Sequence, residues 1–267
     1  VKIYNSLPDS EEIASVAWSG RAKKGWYKRS CRAIMKIFGY KDAPRFTALL
    51  ASLSPQTSVE DNLVNALKVW TGWVRAGRPT NKEAILKILG ENVQGDKGEA
   101  SVLDAWKNNA FRSLTSDNPI DIVLSGPKVN SFTQNLLGNM QELTNDTWVA
   151  IFLAEEQILF RGSINKAGTD PGKGAGYLAV NAKFREAADV LTRRTRQKWE
   201  PAEIQETIWS WTKALLEKAE SAGENRTTTQ ILDASDLTHD MINSVPDFEV
   251  LFLERVYKNI LEEGGYE

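Results

Sequence analysis

Apolar residues recur at intervals of three and four through most of the chain, and no sustained run alternates apolar with polar β-branched residues, so the pattern predicts helices throughout. One predicted helix covers 62–74, with Leu63, Ala66, Leu67, Trp70 and Val74 on one side and Asn65 and Lys68 on the other. A second covers 201–219: Pro201 suits a first turn, and Ile204, Ile208, Trp211 and Leu215 form the stripe. A third covers 248–261 and ends at Gly264-Gly265. The fold class is all-α, with about ten helices expected at ordinary helix lengths. Two stretches interrupt the pattern, the polar 90–98 and the glycine-rich 161–176, and both read as loops. The Gly168-to-Lys173 run inside the second has the wrong spacing for a phosphate loop and no preceding strand.

Composition narrows the chemistry. One cysteine, Cys31, and one histidine, His239, leave no internal disulfide, no Cys/His zinc site and no cysteine-ligated cluster, so acid–base work falls to Asp, Glu, Lys or Tyr. Cys31 reads as a half-buried helix position. No apolar run reaches the length of a membrane span and no signal peptide is apparent, so the expectation is a monomer in the cytoplasm, or in the nucleoid or host cytoplasm for a phage-like protein.

The net charge of −2 gives no general attraction to phosphates, but its distribution is uneven. Between 13 and 41 stand eight basic residues, among them Lys24, Lys28 and Arg29, and no acidic one, interleaved with Trp18, Trp26, Tyr27, Phe38 and Tyr40. Cations neutralise phosphates and aromatic faces stack on bases, so the stretch reads either as a DNA-binding surface or as a solvated helix face. A second basic cluster, Lys183 to Lys198, is diluted by Glu186 and Asp189. Glu203, Gln205 and Glu206 read as the solvated side of their helix, or else as facing a pocket. Trp209 and Trp211 project about 200° apart on a helix, which leaves one of them to line a pocket.

The segment 116–152 carries the most specific pattern. Asp117 and Pro119 can start a short helix holding Ile120, Ile122, Val123 and Leu124; Ser125-Gly126-Pro127 makes a turn; 128–137 forms a second helix closed by Gly138. Such a hairpin presents backbone N–H groups to a phosphate, with Lys128, Asn130 and Ser131 beside them. Asp146 precedes the apolar run Trp148 to Leu153, which places it at a helix N-terminus, where an ordinary N-cap is the simplest role.

These residues resemble the helix-hairpin-helix DNA glycosylase superfamily, the group of endonuclease III and the adenine glycosylases. The likeness rests on Leu124-Ser125-Gly126, on Asp146 in Thr144-Asn145-Asp146-Thr147, twenty positions after Gly126, and on Leu53-Ser54-Pro55-Gln56-Thr57. It implies two helical lobes with a cleft between them: a central helical barrel with the hairpin over 40–140, and a second lobe from 1–39 plus 141–267 carrying the catalytic Asp146. It implies a DNA partner, duplex with an extruded base or single-stranded, contacted by Gln56 and the hairpin, with Trp26, Tyr27, Tyr177 and Trp209 as candidates for the base pocket. It also implies a monovalent cation on the hairpin backbone near Gly126, with no side-chain metal ligand and no required cofactor. Asn130 stands where strand-cleaving members carry their lysine, so the implied activity is monofunctional, hydrolysis of the N-glycosidic bond of a damaged or modified base without lyase action. Ala51 stands where adenine glycosylases carry a glutamate. The alternatives left open are another enzyme acting on modified DNA bases, a non-catalytic helical nucleic-acid-binding protein, and a helical protein-interaction module.

Overall fold

The computed structural model describes residues 2–93, 102–160, 173–221 and 239–266. Among them are thirteen α-helices and no strand, the all-α class the periodicity predicts. The chain divides into two compact units, one from Val1–Tyr27 and Gly126–Val245, the other from Lys28–Ser125 and Pro246–Glu267. The divisions therefore fall at 27/28, 125/126 and 245/246, not at the expected 39/40 and 140/141, and residues 246–267 go with 28–125.

The first unit is built around α10 (Pro201–Ser221), against which α2 (Ser10–Ser19), α8 (Thr147–Phe152) and α9 (Ala175–Thr195) pack. Ile13, Phe152, Tyr177, Phe184, Ile204 and Ile208 form its centre. Glu200 N–H donates to Glu203 at the start of α10, satisfying a donor that the helix itself leaves open. From 201 to 212 every residue except Trp209 is buried. Over 201–212 the expected solvated side of this helix is absent: Glu203, Gln205 and Glu206 are all buried, and the hydroxyls of Thr207, Ser210 and Thr212 donate back to carbonyls one turn earlier. A helix enclosed on all sides shows polar residues where its neighbours supply partners, not where water does.

The second unit comprises most of α3 (Trp26–Ser52), α4 (Val59–Arg75), α5 (Lys82–Asn92), α6 (Asp104–Thr115), α12 (Phe248–Leu251) and α13 (Arg255–Glu263). α3 is bent at Gly39, whose φ of 66° lies outside helical space. α4 runs longer than the predicted 62–74 because Ser58 accepts from Asp61 N–H and caps it five residues upstream of Leu63, where the apolar stripe begins. Asn65, expected on the polar side, is buried. Phe38 stacks on Phe46 at 4.0 Å, and Trp70 meets both edge-on. Gly90 lies inside α5, not in a loop; 94–98 lie outside the described residues.

The predicted 248–261 helix is broken at 252–254. At about 100° per residue, a continuous helix would put Phe248 and Phe252 on one side and Tyr257 and Leu261 on the opposite one. All four are buried in the structure, and the break is what lets the two halves turn their apolar sides inward together. The expected short helix after Asp117 is also reduced, to a single 3-10 turn at Pro119–Asp121. Beyond it Ile122 and Leu124 are buried and Val123 is not, an extended period of two. α6 meets the backbone needs of this segment: Asn109 bonds Ser125 N–H and C=O, and Arg112 donates to Val123 C=O.

Candidate active site

The hairpin's second helix forms close to expectation, as α7 (Pro127–Leu136). Gly126 precedes it at φ 94° with open space around its α-carbon, and no side chain caps the helix. Pro127 brings no N–H, so the uncapped first-turn donors are those of Lys128 and Val129. Gly138, at φ 96°, closes the helix, with Asn139 N–H reaching Gln134 C=O. Ser131 is fully buried, so its predicted contact with phosphate is replaced by an interior position; Lys128 and Asn130 are half-buried.

After α7 the chain runs through a strapped loop to Asp146. Tyr177 hydroxyl donates to Leu143 C=O and accepts from Asn145 N–H, at 2.5 and 3.1 Å. Asn145 Nδ2 donates to Asn181 Oδ1, one helical turn beyond Tyr177 on α9, and Thr144 Oγ1 donates to Asn135 Oδ1 on α7. The phenol of Tyr177 is fully buried and fastens this loop; the place expected for it in a base pocket is taken by that work. Burial, with the carboxylates of Glu142 and Asp146 nearby, pushes the Tyr177 pKa upward, which keeps it a donor.

Asp146 emerges from the strap as the N-cap of α8, as its position in the sequence predicts. Oδ1 accepts from Trp148 and Val149 N–H at 3.1 and 3.3 Å. Oδ2 accepts from the indole N–H of Trp209 at 3.2 Å. The carboxyl is half-buried, and desolvation raises its pKa above the ordinary aspartate value, against the opposing pull of Lys128 and the three hydrogen bonds. Trp26 lies against Trp209, centroids 6.1 Å apart, and against Phe132 and Tyr27. Asp146, Trp209, Trp26, Tyr27 and the α7 start therefore belong to one unit.

What holds the aromatic side was not evident in the sequence. Glu206 accepts from the N–H groups of Gly25 and Tyr27, and Gln205 accepts from the Tyr27 hydroxyl at 2.7 Å. α10 thus fixes the start of α3 through residue 206 and Asp146 through residue 209. Trp211 turns into the core and Trp209 toward the carboxylate, the division that the helical geometry requires.

The basic stretch 13–41 meets acids supplied from far along the chain. Lys24 pairs with Glu203 at 3.6 Å, donates to Lys198 C=O and lies over the Trp199 ring. In the other unit Arg29 pairs with Asp247 and Glu249, Lys28 is exposed, and Gln56 is exposed at φ 61°. Cys31 is half-buried on α3 and its thiol pKa is raised by burial. The Val123 carbonyl accepts from Arg112 and the Ser125 carbonyl from Asn109. Residues 161–172 of the glycine-rich segment lie outside the described residues; Ala175 and Gly176 start α9, with Lys173 paired to Glu142.

The fold and site define an all-helical protein with one half-buried carboxyl held between a helix start and an indole. The chain belongs to DUF7178, a family of unknown function, whose model matches residues 14–214 and so spans Asp146, Trp209 and the hairpin. No curated protein and no solved structure matches the chain.

Proposed function

We propose that the protein is a DNA-binding, base-processing enzyme, a monofunctional DNA glycosylase that hydrolyses the N-glycosidic bond of an extruded base, with Asp146 as its catalytic carboxylate. The observation that carries the reading is the environment of Asp146: a carboxyl oriented by two backbone N–H groups and the Trp209 indole, its pKa raised by desolvation, beside aromatic rings and Lys128. Ionised, it stabilises the positive charge that grows on the sugar as the C1′–N bond breaks with its electron pair going to the base, and it takes a proton from the attacking water, whose oxygen bonds C1′; that proton then passes from Asp146 through solvent to the departed base, which restores the carboxylate. A raised pKa makes it a better base than an ordinary aspartate. The uncapped N–H groups at the start of α7, with Lys128, suit a phosphate of the bound strand. The resemblance to the helix-hairpin-helix glycosylases supports the same assignment.

The test is release of free base, followed by mass spectrometry, from duplex and single-stranded DNAs carrying uracil, alkylated, oxidised or hypermodified bases. Wild type should release at least one of them, and Asp146→Asn should lose about two to four orders of magnitude in rate. Binding without release from any substrate would point to a helical DNA-binding protein that performs no chemistry.

A further inference from the structure

We propose that the second unit carries a binding site for a small organic anion with an apolar body, separate from the Asp146 chemistry. The site is a cavity of about 520 Å³ between the first arm of α3 and the paired helices α12 and α13. That volume lies in the range of small-molecule pockets.

Its construction follows from two features already described. The break at 252–254 turns Phe252 and Leu261 toward the same interior, and Ile37 of α3 faces them across the cavity. After α13, Gly264 lies against Thr71 of α4: a β-carbon at Gly264 would come within 2.4 Å of Thr71 Cγ2. The chain then turns at Gly265, φ 81°, so that Tyr266 lines the cavity with its hydroxyl bonded to Trp70 and Asp42. The floor is thus apolar and fixed.

The rim decides the ligand's charge. Arg32 and Lys36 stand one turn apart on α3, Lys258 stands on α13, and all three are exposed and make no ion pair among the described residues. Two carboxylates, Glu249 and Glu262, share the lining; Glu249 is drawn to Arg29 of its own unit at 3.8 Å, and Glu262, one turn from Lys258 on α13, offsets one of the three cations and leaves the excess at Arg32 and Lys36. The uncommitted charge around an apolar floor is therefore positive. An aromatic or short aliphatic carboxylate, sulfonate or phosphate fits this arrangement: its body covers Phe252 and Leu261 and its head meets Arg32 and Lys36.

Two fluorescent probes test this on the full chain: anilinonaphthalene sulfonate, which is anionic, and N-phenylnaphthylamine, its uncharged relative. The sulfonate should saturate one site. Arg32→Gln with Lys36→Gln should weaken it roughly tenfold while leaving the neutral probe unchanged, and Glu249→Gln should tighten it. Ala33→Phe, which fills the cavity from α3, should remove both probes. Asp146→Asn should change nothing, so a failed glycosylase reading leaves this result intact. Absence of saturable binding, equal response of both probes to the charge changes, or binding that survives Ala33→Phe would overturn the site.

Discussion

Asp146 sits where two demands conflict. As an N-cap it needs only an acceptor, and Asn serves that role about as well, whereas Ala costs about 1 kcal/mol. As a desolvated acid with a raised pKa it holds its proton more tightly folded than unfolded. Its contribution to stability is then fully present below the unfolded aspartate pKa and lost as the pH rises through the folded value. Asp146→Asn should accordingly melt higher than wild type at neutral pH, on the order of 2 °C, with the gap closing near pH 3, while Asp146→Ala melts lower than Asp146→Asn at every pH; thermal melts from pH 3 to 8 resolve the three proteins. Asp42 has the opposite sign. Its paired hydrogen bonds to Arg78, at 2.8 and 2.7 Å, hold its pKa below the ordinary value. That stabilisation is present above the unfolded pKa and lost as the pH falls through the folded one. Asp42→Asn should cost roughly 1 to 3 kcal/mol at pH 7 and progressively less below pH 4; a urea titration at both pH values reads the difference.

At the scale of elements, helices with a one-sided stripe were legible from sequence, and those whose faces are decided by distant partners were not. α4 and α7 lie close to their predicted ranges because a stripe and terminal signals coincide in each. α10 lies where its stripe predicts, but its polar residues read as solvated because Gly25, Tyr27 and Lys24, which satisfy them, lie about 180 positions away. Asp146 was legible because its partners Trp148 and Val149 are local; Asn145, Asn181 and Gln205 were not, since tertiary packing alone makes them neighbours. Glycines separate the same two kinds of constraint. Gly176, in the first turn of α9, would place a β-carbon 2.2 Å from the Leu159 carbonyl oxygen, and a backbone atom cannot step aside. Gly126 has room for one and is held only by its positive φ. Gly176→Ala should cost up to about 3 kcal/mol and Gly126→Ala about 1 kcal/mol, as equilibrium denaturation would measure; equal costs would contradict the packing at Leu159.

Across the whole molecule, two units drawn from alternating stretches of one chain make local damage informative. Phe252 belongs to the unit of 28–125 and 246–267 and packs against Phe38 there. Phe252→Ala should cost about 3 to 5 kcal/mol, and hydrogen exchange read by mass spectrometry should show lost protection in peptides of that unit with much less change in those of 126–221. Uniform loss through both units would mean that they unfold as one. The crossings at 27/28, 125/126 and 245/246 also set an order of events during translation. Residues 2–27 leave the ribosome well before the helices that enclose them, and 28–125 wait longer still for 246–267. The exposed apolar sides of α2 and α4 are thus nascent-chain surfaces that a ribosome-associated chaperone would meet first.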